Sequence, residues 1–238
     1  MPLTVVTGGS RGIGAAICER LAHDGHDIVV GFRSNSDAAN AVVASALAAG
    51  SRAVAVRVET SDAASVDEFF DTADAFGTVT GFVNNAAVSG PVGNLVDSDV
   101  AELRAAVDVN YLGYLLCARR AIRSLEGGGA IVNISSAAAT MGSPGTYVHY
   151  AGAKAAIDAL TVGLAKELAS SGIRVNAVAP GIIWSDFHQD PERPAKLAPT
   201  IPFGRAGQPS EIAGAVAWLL SADASYTSGT VIRVAGGM

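Results

Sequence analysis

Apolar positions along the chain fall into two kinds of run that alternate from end to end. Short runs rich in Val, Ile and Ala predict strands at 3–7, 27–32, 52–58, 80–83, 130–134, 174–179 and 230–234. Longer stretches with apolar residues at helical spacing separate them and predict helices at 11–24, 37–49, 61–76, 97–125, 150–170 and 209–220. In the fifth of these, Leu160, Leu164 and Leu168 recur on one face and no proline interrupts them. Strands and helices in strict alternation imply a parallel sheet covered on both faces. The alanine-rich parts belong to helices, and no linker, repeat or low-complexity run divides the chain. One long stretch, 182–208, lacks periodicity and carries Pro191, Pro194, Pro199 and Pro202. An irregular segment of that length inside a compact domain is usually functional, and a substrate lid is the expectation here.

Composition narrows the class. The 238 residues suit one α/β domain, residues 1–238, with a large core, and 50% hydrophobic against 16% charged residues argues against disorder. A net charge of −6 gives no electrostatic case for nucleic acid or an anionic membrane as partner. No apolar run is long enough to span a bilayer, and Leu3-Thr4-Val5-Val6 reads as a strand and not as a leader. The two cysteines, Cys18 and Cys117, fall in predicted helices among small apolar residues, so buried reduced thiols and a cytoplasmic location are expected. No His, Asp or Glu grouping has metal-ligand spacing.

The chemistry collects at the carboxyl ends of the predicted strands. Thr7-Gly8-Gly9-Ser10-Arg11-Gly12-Ile13-Gly14 joins the first strand to the first helix. Gly8, Gly12 and Gly14 allow a tight turn and a close approach of backbone to phosphate, with Ser10, Arg11 and Ile13 between them. After the second strand an acidic residue would bind ribose hydroxyls. This chain has Arg33 and Ser34 instead, with Arg11 nearby, which favours the 2′-phosphate of NADP(H) while leaving NAD(H) possible. Glu59 and Thr60 follow the third strand and suit adenine, although a helix cap by Ser61 or Asp62 explains that stretch as well. Asn84 to Ala87 end the fourth strand, where the amides line a cofactor groove or make a plain turn. Asn110 sits inside a helix among Val109, Tyr111 and Leu112, and a buried amide must be paired. Ser135-Ser136 follow the fifth strand, and Pro180-Gly181 end the sixth, leading to Ile183 and Ser185. His149, Trp184, Phe187 and His188 are candidates for the pocket wall, in structural and not catalytic roles.

Tyr150 and Lys154 lie four apart, so a phenol and an ammonium share one helix face. A neighbouring cation favours phenolate, and a phenol tuned toward neutrality exchanges a proton with an alcohol or carbonyl oxygen. Alone, this short pattern arises easily by chance.

Taken together, Thr7–Gly14, Asn84–Ala86, Asn110, Ser136, Tyr150 with Lys154, and Pro180-Gly181 resemble the short-chain dehydrogenase/reductase family, in its order and spacing along almost the whole chain. Residues 202–209 and 225–229 resemble its 3-oxoacyl-carrier-protein reductase and glucose 1-dehydrogenase-like members. The resemblance implies a single Rossmann-type, doubly wound seven-stranded parallel sheet of order 3-2-1-4-5-6-7, binding its cofactor at the carboxyl edge. It implies an NADP(H)-dependent oxidoreductase that interconverts a small ketone or aldehyde and an alcohol. Tyr150 would be the acid/base, and Lys154 would lower its pKa and bind the nicotinamide ribose. Ser136 would hold the substrate oxygen, Asn110 would anchor a water, and Ser185 would bind the carboxamide. A homotetramer is implied too, and the small residues of the Tyr150 helix suit close helix packing. Ala87 and Ala139 replace frequent glycines and put local geometry in question. The competing readings are a non-catalytic nucleotide sensor on the same fold and reduction of an imine or double bond.

Overall fold

The computed structural model describes residues 1–238. Seven parallel strands form one sheet in the order β3-β2-β1-β4-β5-β6-β7. They are β1 (Leu3–Val6), β2 (Asp27–Phe32), β3 (Ala53–Arg57), β4 (Val79–Asn84), β5 (Gly129–Ile134), β6 (Ile173–Pro180) and β7 (Val231–Val234). The inner strands are apolar almost without interruption because both of their faces are covered.

On one face pack α1 (Gly12–His23), α2 (Ser36–Ala48) and, arriving last in the chain, α9 (Pro209–Leu220). Their core holds Ile17, Leu21, Val42, Ile212 and Val216 against Val6, Val30 and Val132. The other face is covered by α3 (Ala63–Phe76), by a long interrupted helix and by α7 (Val148–Glu167). Here Phe69, Phe70 and Phe82 stack edge to face, with centroids 5.3 Å apart in each neighbouring pair. Burying a side chain of this size contributes roughly 1.5–3 kcal/mol, and each edge-on pair adds about 0.5–1.5 kcal/mol.

The predicted helix 97–125 is in fact three pieces. It runs as α4 (Val100–Val107), one wide turn at Asp108–Leu112, and α5 (Gly113–Ser124). In the wide turn the Gly113 N–H reaches back five residues to the Asp108 carbonyl. That extra residue aims Asn110 and Tyr114 inward, where both are fully buried. Two further short helices, α6 (Ala138–Met141) and α8 (Arg193–Leu197), lie in stretches read as loop. Segment 182–208 is pinned at its base: Ile183 bridges Gly207, and Trp184 N–H donates to the Gly207 carbonyl at 3.0 Å. Both ends are therefore fixed while the middle crosses the carboxyl edge of the sheet.

The chain leaves β1 toward β2 and β3, then returns to the other side of β1 with β4. The loops after β1 and β4 must diverge at that point, which opens a cleft. Thr7 holds the two loops in register, since its hydroxyl accepts N–H bonds from Asn85 at 3.0 Å and Ala86 at 3.2 Å.

Candidate active site

A cleft of about 680 Å³ runs along the carboxyl edge of the sheet. One end is the glycine turn before α1. Gly8 and Gly12 take positive φ, +64° and +54°, and a Cβ on Gly14 would fall 2.1 Å from the Gly8 carbonyl oxygen. The bare backbone is thus required for the turn to close. The cap residue of α1, Arg11, gives no side-chain hydrogen bond to the helix start, whereas Asn35, Asp62 and Asp99 cap α2, α3 and α4. The first N–H groups of α1 therefore face the cleft without a side-chain acceptor, an arrangement that fits the diphosphate of a dinucleotide. Ser10, Ile13, Arg33, Ser34, Glu59, Thr60 and Ala86 complete this end, and Pro180, Gly181, Ile183 and Ser185 close it from β6. Arg33 pairs with Glu59 at 3.3 Å, which fixes the guanidinium over the cleft rim.

At the other end Tyr150 and Lys154 project from α7, both buried. The Lys154 ammonium donates to the Ile134 carbonyl at 2.7 Å and to the Tyr114 hydroxyl at 2.8 Å. Tyr114 in turn donates to the same carbonyl at 2.9 Å, and its ring lies 4.3 Å from Nζ. Burial pushes Lys154 down to about 7, with the attraction of Asp158 acting against it. Asp158 is one helix turn further on and half-buried; burial raises its carboxyl, while the Ser135 hydroxyl and Lys154 pull it back. Ser136 lies beside Tyr150, and its hydroxyl accepts the Ala138 N–H at 3.1 Å.

The tuning of Tyr150 differs from the expectation. Burial raises its phenol, the neighbouring Tyr147 adds to the rise, and Ser136 is the group that lowers it. Lys154 gives two of its hydrogens to Ile134 and Tyr114 and none to the Tyr150 phenol, and Nζ sits 5.6 Å from the centre of the Tyr150 ring.

Two expected positions lie behind the wall instead of on it. Asn84 is buried and turns its amide to the Tyr114 carbonyl at 3.0 Å, because neighbouring strand residues point to opposite faces. Asn85 lines the cleft in its place and bonds the Thr7 and Gly8 carbonyls at 3.0 and 3.1 Å. Asn110 clasps the backbone of Val88, accepting its N–H at 3.0 Å and donating to its carbonyl at 2.7 Å, and Val88 faces the cleft. Phe187 and His188 line the cleft, but His149 and Trp184 do not. Ala87 carries no strain, since Ser143 is the one non-glycine residue with positive φ. Tyr114, Tyr147, Asp158 and Arg193 escaped the sequence reading; as single residues in helix or loop they carry no spacing signal. No group of three or more His, Cys, Asp or Glu is placed to hold a metal ion, and no helix is long and apolar enough to cross a membrane. Cys18 and Cys117 are free and buried.

A family model described as enoyl-(acyl carrier protein) reductase matches residues 8–238. The chain belongs to the short-chain dehydrogenase/reductase family. It is 39% identical over its whole length to the uncharacterized oxidoreductase YgfF of Escherichia coli, all of which is covered. It is 38% identical to a 3-oxoacyl-[acyl-carrier-protein] reductase of Synechocystis, with 99% of this chain and 96% of that one aligned. A short-chain dehydrogenase of Burkholderia cenocepacia, solved in complex with NADP, superposes with a TM-score of 0.94 at 33% identity, covering 99% of this chain and 97% of that one. This short-chain dehydrogenase/reductase is an oxidoreductase, and its cofactor class is NAD(P)(H).

The buried lysine makes a pH signature in the cofactor-free protein. Its folded pKa, about 7, lies below its ordinary 10.5. Between those values the unfolded chain holds a proton that the folded chain has released, so this group makes stability rise with pH across the window. Lys154→Met removes that slope. Wild-type stability minus variant stability, from thermal melts in matched buffers, should increase from pH 7 upward; a flat or falling difference refutes a neutral buried lysine.

Proposed function

We propose that the protein interconverts a ketone or aldehyde and an alcohol with NADP(H), through Ser136, Tyr150, Lys154 and Asn110. The bound cofactor supplies or takes up hydride. In the reducing direction Tyr150 gives its proton to the carbonyl oxygen as that oxygen gains negative charge. The raised phenol pKa keeps the proton in place until it is needed. Ser136 accepts from Ala138, which leaves its own hydrogen free to donate to the same oxygen. Lys154 spends two of three donors within the protein and keeps one for the nicotinamide ribose. Asn110 acts through Val88, holding the wall instead of touching substrate. The observation that carries this reading is the placement of Ser136 and Tyr150 side by side at the far end of the cleft that begins at the uncapped start of α1.

Residues 182–208 serve in this reading as the substrate lid. Gln189 reaches across the cleft to the Gly90 carbonyl at 3.0 Å, and Phe187 stacks 5.3 Å from Tyr150. Preference for NADP(H) rests on Arg11 and Arg33 at the adenosine end and on the neighbouring structure with NADP. Assembly as a homotetramer rests on α7. Its exposed face carries Gly152, Ala155, Ala159, Val162 and Gly163, and a Cβ on Gly152 or Gly163 would meet nothing within 4 Å. Apolar area of this kind is stabilised by burial against another subunit.

Tyr150→Phe keeps the ring and removes the proton. Turnover with NADPH should fall by at least about a thousandfold while NADPH affinity stays close to wild type. Near-wild-type turnover of a folded variant refutes the assignment. Arg33→Asp sets a like charge beside the 2′-phosphate, and together with Glu59 should reverse the ratio of NADPH to NADH dissociation constants. An unmoved ratio means that Arg33 does not read the phosphate. Light scattering at micromolar protein should give four times the subunit mass; a stable single-subunit mass on concentration overturns the assembly.

A further inference from the structure

Arg193 opens α8 and lines the cleft at the Tyr150 end. Its guanidinium lies over the Tyr147 ring, 5.4 Å from the centroid, and Nη2 donates to the Tyr147 hydroxyl at 3.4 Å. The Tyr147 and Tyr150 rings meet edge to face at 5.3 Å, so one aromatic ring separates the cation from the proton donor. The side chain has no other hydrogen bond within the protein. Its Nε is closed off from water and has no partner. Arg193 takes part in no ion pair. The nearby carboxylate of Asp190 is already occupied by Lys196 at 2.7 Å and by the Glu192 N–H at 3.0 Å. Asp186, also on the cleft wall, is not paired with it either. Met141, Pro144, Phe187 and Leu197 line the same cleft.

An arginine fork that lines the cleft beside an aromatic ring, with no carboxylate partner, lacks the planar anion that it matches. A single cation balances a single negative charge, which suits a carboxylate better than a phosphate dianion. We propose that the substrate bears a carboxylate that docks on Arg193: an oxo-acid, or the matching hydroxy-acid, with an apolar stretch between the carboxylate and the reacting carbon. This names the substrate class for the carbonyl-reductase reading given above and rests on it. The apolar stretch lies along Tyr147 and Phe187, and Arg193 fixes which end of the substrate reaches Tyr150.

The test separates the two ideas. Hexanoate and its neutral counterpart hexanamide are titrated into the enzyme–NADP⁺ complex by calorimetry. Hexanoate should bind roughly tenfold tighter or more, the scale expected for a charged hydrogen-bonded pair. Arg193→Gln should bring that ratio near one, and Arg193→Lys should keep part of it. In parallel, 5-oxohexanoate and its methyl ester are assayed with NADPH, and the acid should have the higher kcat/KM in wild type but not in Arg193→Gln. Equal binding of acid and amide by wild type overturns the proposal. So does an Arg193→Gln variant that weakens both ligands alike, as a merely structural lid contact would, or that loses NADPH affinity alone. A hexanoate preference that depends on Arg193, without turnover of either carbonyl compound, upholds the carboxylate site and refutes the carbonyl-reductase reading instead.

Discussion

An ammonium group with almost no access to water is the constraint on which this site depends. Leaving a charge unpaired in a protein interior costs several kcal/mol, so Lys154 must be neutralised or fully bonded. Here burial moves it toward neutrality, and the Ile134 carbonyl and the Tyr114 hydroxyl take two of its hydrogens. Each partner fixes an element. Ile134 is the last residue of β5, and Tyr114 is held by α5. The Ser135 hydroxyl then donates to the Lys154 carbonyl at 3.3 Å and ties the loop after β5 to the middle of α7. Ser136 and Tyr150, one on each of those elements, are brought together as a consequence. The wide turn at Asp108–Leu112 belongs to the same arrangement, because a regular helix would rotate Asn110 and Tyr114 away from their partners.

Most of the architecture was legible in the sequence. A strand buried on both faces reads as an uninterrupted apolar run, and a helix packed on a sheet reads as a repeat near four, so the element types and the sheet order followed from pattern and resemblance together. What escaped were features without periodicity. The wide turn leaves no mark in composition, so 97–125 looked like one helix. The helices Ala138–Met141 and Arg193–Leu197 are too short to show a period. Asn84 illustrates the strand rule most plainly: its neighbour Asn85 has the same side chain and faces the cleft, while Asn84 faces the interior. Sequence shows that an amide pair ends β4 but not which of the two turns outward.

The site residues divide the same way. Positions set by backbone geometry, such as Gly8, Gly12 and Gly14, were readable because only glycine satisfies them. Electrostatic balance was not. Sequence spacing places Lys154 beside Tyr150, but the lysine's hydrogens go elsewhere and burial dominates both groups. A pKa depends on desolvation as much as on neighbours, and desolvation is a property of the folded chain.

The strand order has a consequence for the chain as it leaves the ribosome. β1 lies inside the sheet, third of seven strands, yet it is made first, and one of its two neighbours, β4, is not made until β2 and β3 have been completed. During that interval β1, β2 and β3 can pair, leaving the β4-facing edge of β1 bare: Leu3, Thr4, Val5 and Val6, an uncharged run with unpaired backbone groups. Such an edge recruits other strands, including those of another nascent chain. The emergence of β4 covers that edge of β1, the clasp of Thr7 onto Asn85 and Ala86 ties the two strands together, and the open edge passes to β4 until β5 is made.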